Sequence, residues 1–152
     1  MKSRSAVSIL AFAAVLGCWR LLEDRPVHAE DALVMVANKA NSAAAGMTIS
    51  EAKRLLLGQT TDWHGGVKVV VVLAPPGSSG RAVVLKKVCG MSESAYTRYE
   101  MQAVFTGATA AKVAEAASDS SVRDMVKANV GAVGFIRKDA LDPSVQLVLT
   151  LD

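Results

Sequence analysis

The residues with the clearest chemical potential form the stretch APPGSSGR, residues 74–81, a polar segment between the apolar runs VKVVVVL and AVVLKKVCG. Such a segment is suited to binding an anion. Glycine lets a ligand approach the backbone closely, amide and hydroxyl groups donate hydrogen bonds, and a guanidinium supplies positive charge. The candidate ligand-binding residues are therefore Gly77, Ser78, Ser79, Gly80 and Arg81.

The elements around the 77–81 segment favour the same chemistry. The run VKVVVVL predicts a buried strand, and a helix is expected from about Gly80 to Cys89, ending at Gly90. The segment then lies at the carboxyl end of a strand and the N-terminus of a helix, where free N–H groups and the helix dipole attract anions. Arg81 in the first turn opposes that dipole unless a ligand or an acid lies nearby.

A structural interpretation of the same residues stays open. Pro75, Pro76 and Gly77 can turn the chain, Ser78 or Ser79 can cap the helix, and Arg81 can be solvated.

The sequence supports an enzyme active site or a metal site less well than an anion site. The glycines around Ser79 do not fit the Gly-x-Ser-x-Gly spacing of a nucleophile elbow, and a serine hydrolase would need His64 as its base. No ligand spacing unites Asp62, His64 and Cys89 around a metal. Trp63 is interpreted as an anchor for its loop. We predict that the protein is not an enzyme, has no catalytic residue and binds no metal or cofactor.

The rest of the chain predicts alternating strands and helices, which is typical of an α/β domain. Strands are expected at 31–37, 67–73, 131–136 and 145–151, the third with glycines where neighbouring backbone comes close. A capping box of Thr48 and Glu51 begins a helix that ends at Gly58. Ser92 caps another, carrying Tyr96, Tyr99 and Met101 on one side, and further helical pieces are expected at 110–117 and 121–128.

The first 29 residues have the pattern of an export signal. Lys2 and Arg4 precede an apolar run from Ser5 to Gly17. Ala29 is a small residue at a position where a signal peptidase could cleave. We predict a signal peptide at 1–29, a domain at 30–152 and a periplasmic location. The alternative is lipid anchoring at Cys18, which follows a run similar to a lipoprotein cleavage box.

Charge and cysteine content argue against a nucleic-acid-binding protein and against a protein stabilised by an internal disulfide. The chain has 17 basic and 14 acidic residues, and removal of residues 1–29 would leave 13 against 12. Without a clustered basic face, nucleic acid is not an expected partner. Cys89 would be the only remaining cysteine, so an intramolecular disulfide is excluded, and we expect it to be buried at a helix end.

Three stretches together resemble the periplasmic phosphate-binding proteins of ABC transporters, in particular small single-lobe relatives. They are ISEAKRLLLGQTTDW, VKVVVVLAPPGSSGRAVV and GAVGFIRKDAL, and the resemblance extends over residues 31–152. It implies an α/β fold with a single lobe of the type II periplasmic solute-binding class. It also implies that phosphate or another small oxyanion binds at the 77–81 segment, with a membrane component of an ABC transporter as partner.

The 77–81 segment departs from the loop of that family, which is usually Asp-Gly-Ser-Gly-Thr with an arginine three residues before its first glycine. Here Ala74 stands at the arginine position and Pro76 at the aspartate position, so only Gly77 and Ser78 match. The family's N-terminal lobe has no counterpart either. Two hypotheses follow: weak oxyanion binding in phosphate ABC transport, or an envelope protein–protein interaction module that has lost ligand binding. An uncovered, partly apolar lobe surface also predicts a homo-oligomer.

Overall fold

A mixed β-sheet lies at the centre of the protein. The computed structural model describes residues 32–108 and 111–152, so the proposed signal peptide, Cys18 and the cleavage point lie outside the described residues. Five strands take the order β3-β2-β4-β1-β5. They are β1 Leu33–Asn38, β2 Val70–Leu73, β3 Val113–Glu115, β4 Ala132–Arg137 and β5 Val145–Leu151. β2 is parallel to β3 and β4, whereas β1 is antiparallel to β4 and β5.

Helices cover both faces of the sheet. They are α1 Ile49–Leu56, α2 Ser79–Val84, α3 Glu93–Phe105 and α4 Asp119–Ala128, and a π-helical segment, Leu85–Cys89, continues α2. One hydrophobic core joins the sheet to α1, α2 and α3, and a second joins it to α4. Within this part of the chain, every helix is too short or too polar to span a bilayer.

The continuous apolar run of β1 is buried on both faces, as its sequence predicts. Val34 and Val36 pack in the core on the α4 side, while Met35 and Ala37 pack in the core on the opposite side. Strands with helices on both faces need apolar side chains at successive positions, because alternate residues point to opposite layers.

The pairing of β1 with β5 contains a β-bulge. Met35 lies opposite Leu149, but the next residue, Val36, lies opposite Leu147, so Val148 is an extra residue on the edge strand. An extra residue of this kind bends the strand that carries it and increases its local twist.

Local signals at the helix ends are confirmed. The Thr48 hydroxyl accepts from the backbone N–H of Glu51, and the Glu51 carboxylate accepts from the backbone N–H of Thr48, which completes the capping box. Gly58 and Gly90 have φ values of 68° and 71°, the left-handed conformation that ends a helix. The Ser92 hydroxyl caps α3 by accepting from the backbone N–H of Ala95.

Close approach explains the glycines near β4. A Cβ atom at Gly131 would collide with the backbone oxygen of Lys68, and one at Gly134 would collide with the Val122 side chain of α4. These positions therefore require glycine for space, as the sequence predicts.

The helix predicted at 110–117 is wrong. Residues Val113–Glu115 form β3 beside β2, and the backbone N–H of Val71 donates to the carbonyl of Lys112; Ala110 lies outside the described residues. The alanine-rich composition favours a helix locally, but pairing with a buried strand decides the conformation.

The face predicted for α3 is correct only in part. Tyr96 is fully buried and Tyr99 packs against the same core, whereas Met101 is 54% exposed. Residues three or four apart share a helix face, but Met101 follows Tyr99 by only two positions and so points elsewhere.

Candidate functional site

The 77–81 segment lies at the carboxyl end of β2 and forms the entry to α2. The carbonyl of Pro75 accepts from the backbone N–H of Ser78, and Gly77 between them has a φ of 82°. Proline followed by glycine at positive φ is typical of a type II turn. The turn brings Ser78 to the start of the helix.

Ser78 is the N-cap of α2. Its hydroxyl oxygen accepts from the backbone N–H of Arg81 at 3.3 Å, and its carbonyl accepts from the backbone N–H of Ala82. The capping interpretation of this serine is therefore confirmed. The hydroxyl hydrogen of Ser78 has no acceptor in the part of the chain that the structure describes.

Two backbone N–H groups remain free at the helix start. None of the described residues accepts from the N–H of Ser79 or of Gly80. Unsatisfied N–H groups in a first turn carry the positive end of the helix dipole. The segment thus retains the donors that an oxyanion needs.

Arg81 points into the protein rather than towards solvent. The residue is 4% exposed, and its Nε donates to Glu93 Oε1 at 2.9 Å. Its Nη1 donates to the Ala74 carbonyl at 3.4 Å, and the guanidinium lies 5.8 Å from the ring centroid of Tyr96. The solvated interpretation of Arg81 is therefore wrong, and the acid that its position in the first turn requires is Glu93.

Further carboxylates lie near this ion pair. Burial raises the pKa of Glu100, and the negative charges of Glu93 and Glu115 raise it too, whereas Arg81 lowers it. The second carboxylate oxygen of Glu93 is buried without a hydrogen-bond partner in the described residues. Arg81 therefore interacts with two carboxylates, those of Glu93 and Glu100. Because the partners come from different helices, the sequence alone could not identify Glu93.

The remaining candidate residues do not converge on a catalytic or metal site. His64 is exposed, Cys89 is buried, and no group of metal-binding side chains occurs within 32–108 and 111–152. Trp63 is an anchor as predicted, because its buried indole Nε1 donates to the Gly131 carbonyl at 3.0 Å. Trp63 and His64 also line a cavity of about 260 Å³ beside α1. Arg54, which the sequence did not single out, lines the same cavity.

This chain is similar in structure to several solved proteins of phosphate transport. No protein-family model matches it, and no curated protein matches it. An ABC-type phosphate transport receptor from Vibrio cholerae matches with a TM-score of 0.59 and 25% identity, over 78% of this chain and 45% of the receptor. A putative phosphate ABC transporter substrate-binding protein from Clostridium perfringens, solved with bound phosphate, matches with a TM-score of 0.59 and 21% identity, over 78% and 44%.

A possible phosphate-binding protein from Planctomyces limnophilus gives the same TM-score of 0.59 at 16% identity, over 78% of this chain and 40% of that one. The chain thus spans less than half the length of each of these proteins. The α/β architecture of the described residues agrees with the resemblance in its sequence. The chain has the type II solute-binding fold of the phosphate ABC transporter substrate-binding proteins.

Proposed function

We propose that the chain is an exported, solute-binding-like protein that binds phosphate or a related oxyanion weakly at the 77–81 segment, as part of phosphate ABC transport. Two facts support the proposal: the similarity to phosphate transport receptors and the free N–H groups of Ser79 and Gly80. The N–H pair is the observation that carries it. Amides fixed at a helix start bind an anion without reorganising.

The proposed ligand lies over the N–H groups of Ser79 and Gly80, with the Ser78 hydroxyl donating from the cap. Arg81 contributes positive charge from beneath rather than a direct contact, since Glu93 holds its Nε. A ligand held at the surface of the described residues stays half solvated, so each charge-assisted hydrogen bond is worth the lower end of about 1.5–3 kcal/mol. Affinity on the order of micromolar to millimolar follows.

Calorimetric titration of the 30–152 domain with phosphate and sulfate tests the proposal. Ser79 is the first residue of α2, where proline is well tolerated, so Ser79→Pro removes one free N–H without breaking the helix. Ser79→Ala removes the hydroxyl alone and is the matched control. We expect Ser79→Pro to weaken binding about tenfold and Ser79→Ala to weaken it less. No titration at millimolar anion, or equal affinities for wild type and Ser79→Pro, contradicts the proposal.

The proposed location is the periplasm, where an ABC transporter component would be accessible as partner. The chain isolated from the cell envelope should begin at Glu30, because Val27 and Ala29 are small residues at the positions that a signal peptidase recognises. Mass spectrometry of its N-terminus checks this. A diacylglyceryl group on Cys18 would instead establish lipid anchoring.

A protein–protein interaction module is the second candidate function. Glu93 neutralises the only arginine of the 77–81 segment, and the end of α3 exposes Met101, Val104 and Phe105 by 54%, 70% and 88%. Exposed apolar clusters mark association surfaces. If neither anion titrates, this candidate replaces the first.

A further inference from the structure

Glu93 is placed to compete with a bound oxyanion for Arg81. We propose that Glu93 sets the anion affinity of the 77–81 segment by neutralising Arg81, an inference that rests on the oxyanion binding proposed above. Its carboxylate acts as an internal anion that remains in place when no ligand is bound. Weakening this contact should therefore strengthen binding.

The guanidinium of Arg81 lies within the span of the turn. Its backbone N–H bonds to the Ser78 hydroxyl at the end of the turn, while its Nη1 reaches back to the Ala74 carbonyl at the start. The Arg81 side chain thus places positive charge at the start of the turn.

Glu93 forms fewer hydrogen bonds with Arg81 than a carboxylate can form with an arginine. A single hydrogen bond, from Nε to Oε1 at 2.9 Å, joins them, whereas arginine and a carboxylate can form two parallel bonds. Glu93 Oε2 is buried without a partner, which disfavours this arrangement. No residue of the described ranges accepts from Nη2 of Arg81. Glu93 therefore neutralises the charge of Arg81 only in part, and the remaining positive charge acts on an anion at the segment.

The surrounding charges give Glu93 a large influence. Glu100 places a further negative charge near Glu93, and Arg81 is the cation that lowers the pKa of Glu100. Removing one negative charge beside the segment should strengthen phosphate binding about tenfold at the effective dielectric of a partly buried site. Glu93→Gln makes this change at constant shape, and its amide oxygen can still accept from Arg81.

Titration with phosphate should compare wild type, Glu93→Gln and Asp124→Asn. Asp124 is an exposed carboxylate on α4, so Asp124→Asn gives the same change in net charge away from the segment. We expect affinity to rise about tenfold in Glu93→Gln and to stay within about twofold in Asp124→Asn. The gain should disappear in the Arg81→Met background, so that Arg81→Met and Arg81→Met/Glu93→Gln bind phosphate equally, because Glu93 acts through Arg81.

The outcomes separate this inference from the proposed function. If wild type titrates and Glu93→Gln binds equally or more weakly, the inference is overturned and the function stands. If only Glu93→Gln titrates, the inference stands and the function of the unmodified chain is overturned. If neither titrates at millimolar phosphate, both are overturned. Should Glu93→Gln unfold, Glu93→Asp retracts the carboxylate by one methylene, and unchanged affinity there overturns the inference.

Discussion

At the scale of the residue, Arg81 illustrates how burial changes the role of a charge. A buried cation needs a partner, and Glu93 provides it at 2.9 Å. The Glu93 side chain remains 29% exposed, so water can rehydrate its carboxylate when the arginine is removed. The ion pair therefore serves as a connection between α2 and α3, and its loss should cost less than that of a fully buried pair.

Replacing Arg81 by alanine should lower the free energy of unfolding by about 2 kcal/mol, because Glu93 loses its partner and Tyr96 loses a packing neighbour. Urea denaturation measures this loss. The variant Arg81→Met/Glu93→Gln should recover part of the stability, since it leaves no unpaired charge. An unchanged urea midpoint in Arg81→Ala would show that the ion pair contributes nothing.

Glu100 should make stability depend on pH. Burial raises its pKa above the ordinary 4.5, so the folded state binds a proton more readily than the unfolded chain. The ionised carboxylate destabilises the fold above its folded-state pKa, and that penalty disappears as the pH falls towards 4.5. Glu100→Gln should therefore be more stable than wild type at neutral pH and equal to it in mild acid. Thermal unfolding across this range checks the difference, and a pH-independent difference contradicts it.

Cys89 should be an unreactive thiol. Burial raises its pKa to about 11, so almost no thiolate forms near neutral pH. In a chain that begins at Glu30, a thiol reagent at pH 8 should react slowly when the protein is folded and rapidly in denaturant. Rapid reaction of the folded protein would show that the end of the π-helical segment opens.

At the scale of the element, Ser78 and Ser92 form a matched pair of caps. Each hydroxyl accepts from the backbone N–H three residues on, at 3.3 Å in both cases. Replacement of either by alanine should cost about 1 kcal/mol of stability in urea denaturation. Only Ser78→Ala should also weaken phosphate binding, because Ser92 is not part of the 77–81 segment. Equal affinities for the two variants would exclude a ligand contact by Ser78.

Helix ends could be predicted from the sequence because their determinants are local. The Thr48 and Glu51 capping box, the Ser78 cap and the left-handed Gly90 each act within a few residues. β3 could not be predicted in this way, since its conformation depends on pairing with β2 across a long sequence separation. The same limit hid Glu93, because no local pattern specifies how α2 and α3 are oriented.

At the scale of the whole molecule, the exposed apolar cluster lies away from the 77–81 segment. Glu93 places the start of α3 beside Arg81, and the helix then runs for 13 residues, a rise of about 20 Å, to Phe105. Self-association through this cluster would therefore leave the segment accessible. Anion binding and association would then use different ends of α3.

We expect weak self-association of the domain through Met101, Val104 and Phe105. Sedimentation at high micromolar concentration should show a concentration-dependent mass that Phe105→Ser reduces, because that side chain is 88% exposed and its loss should not disturb the core. Ile49→Ser on α1 is the control for an exposed apolar residue elsewhere. A monomer at all concentrations contradicts the expectation.

The bulge at Val148 bears on how the domain avoids forming aggregates. β5 is an edge strand whose sequence, VQLVLTL, is apolar at five of its seven positions, and such edges are templates for adding strands from other molecules. The extra residue bends the outer edge and breaks the regular spacing of its free backbone groups. Deleting Val148 would restore an unbroken ladder, so the shortened chain should form intermolecular sheets, detectable by thioflavin binding, under conditions where the intact domain stays in solution.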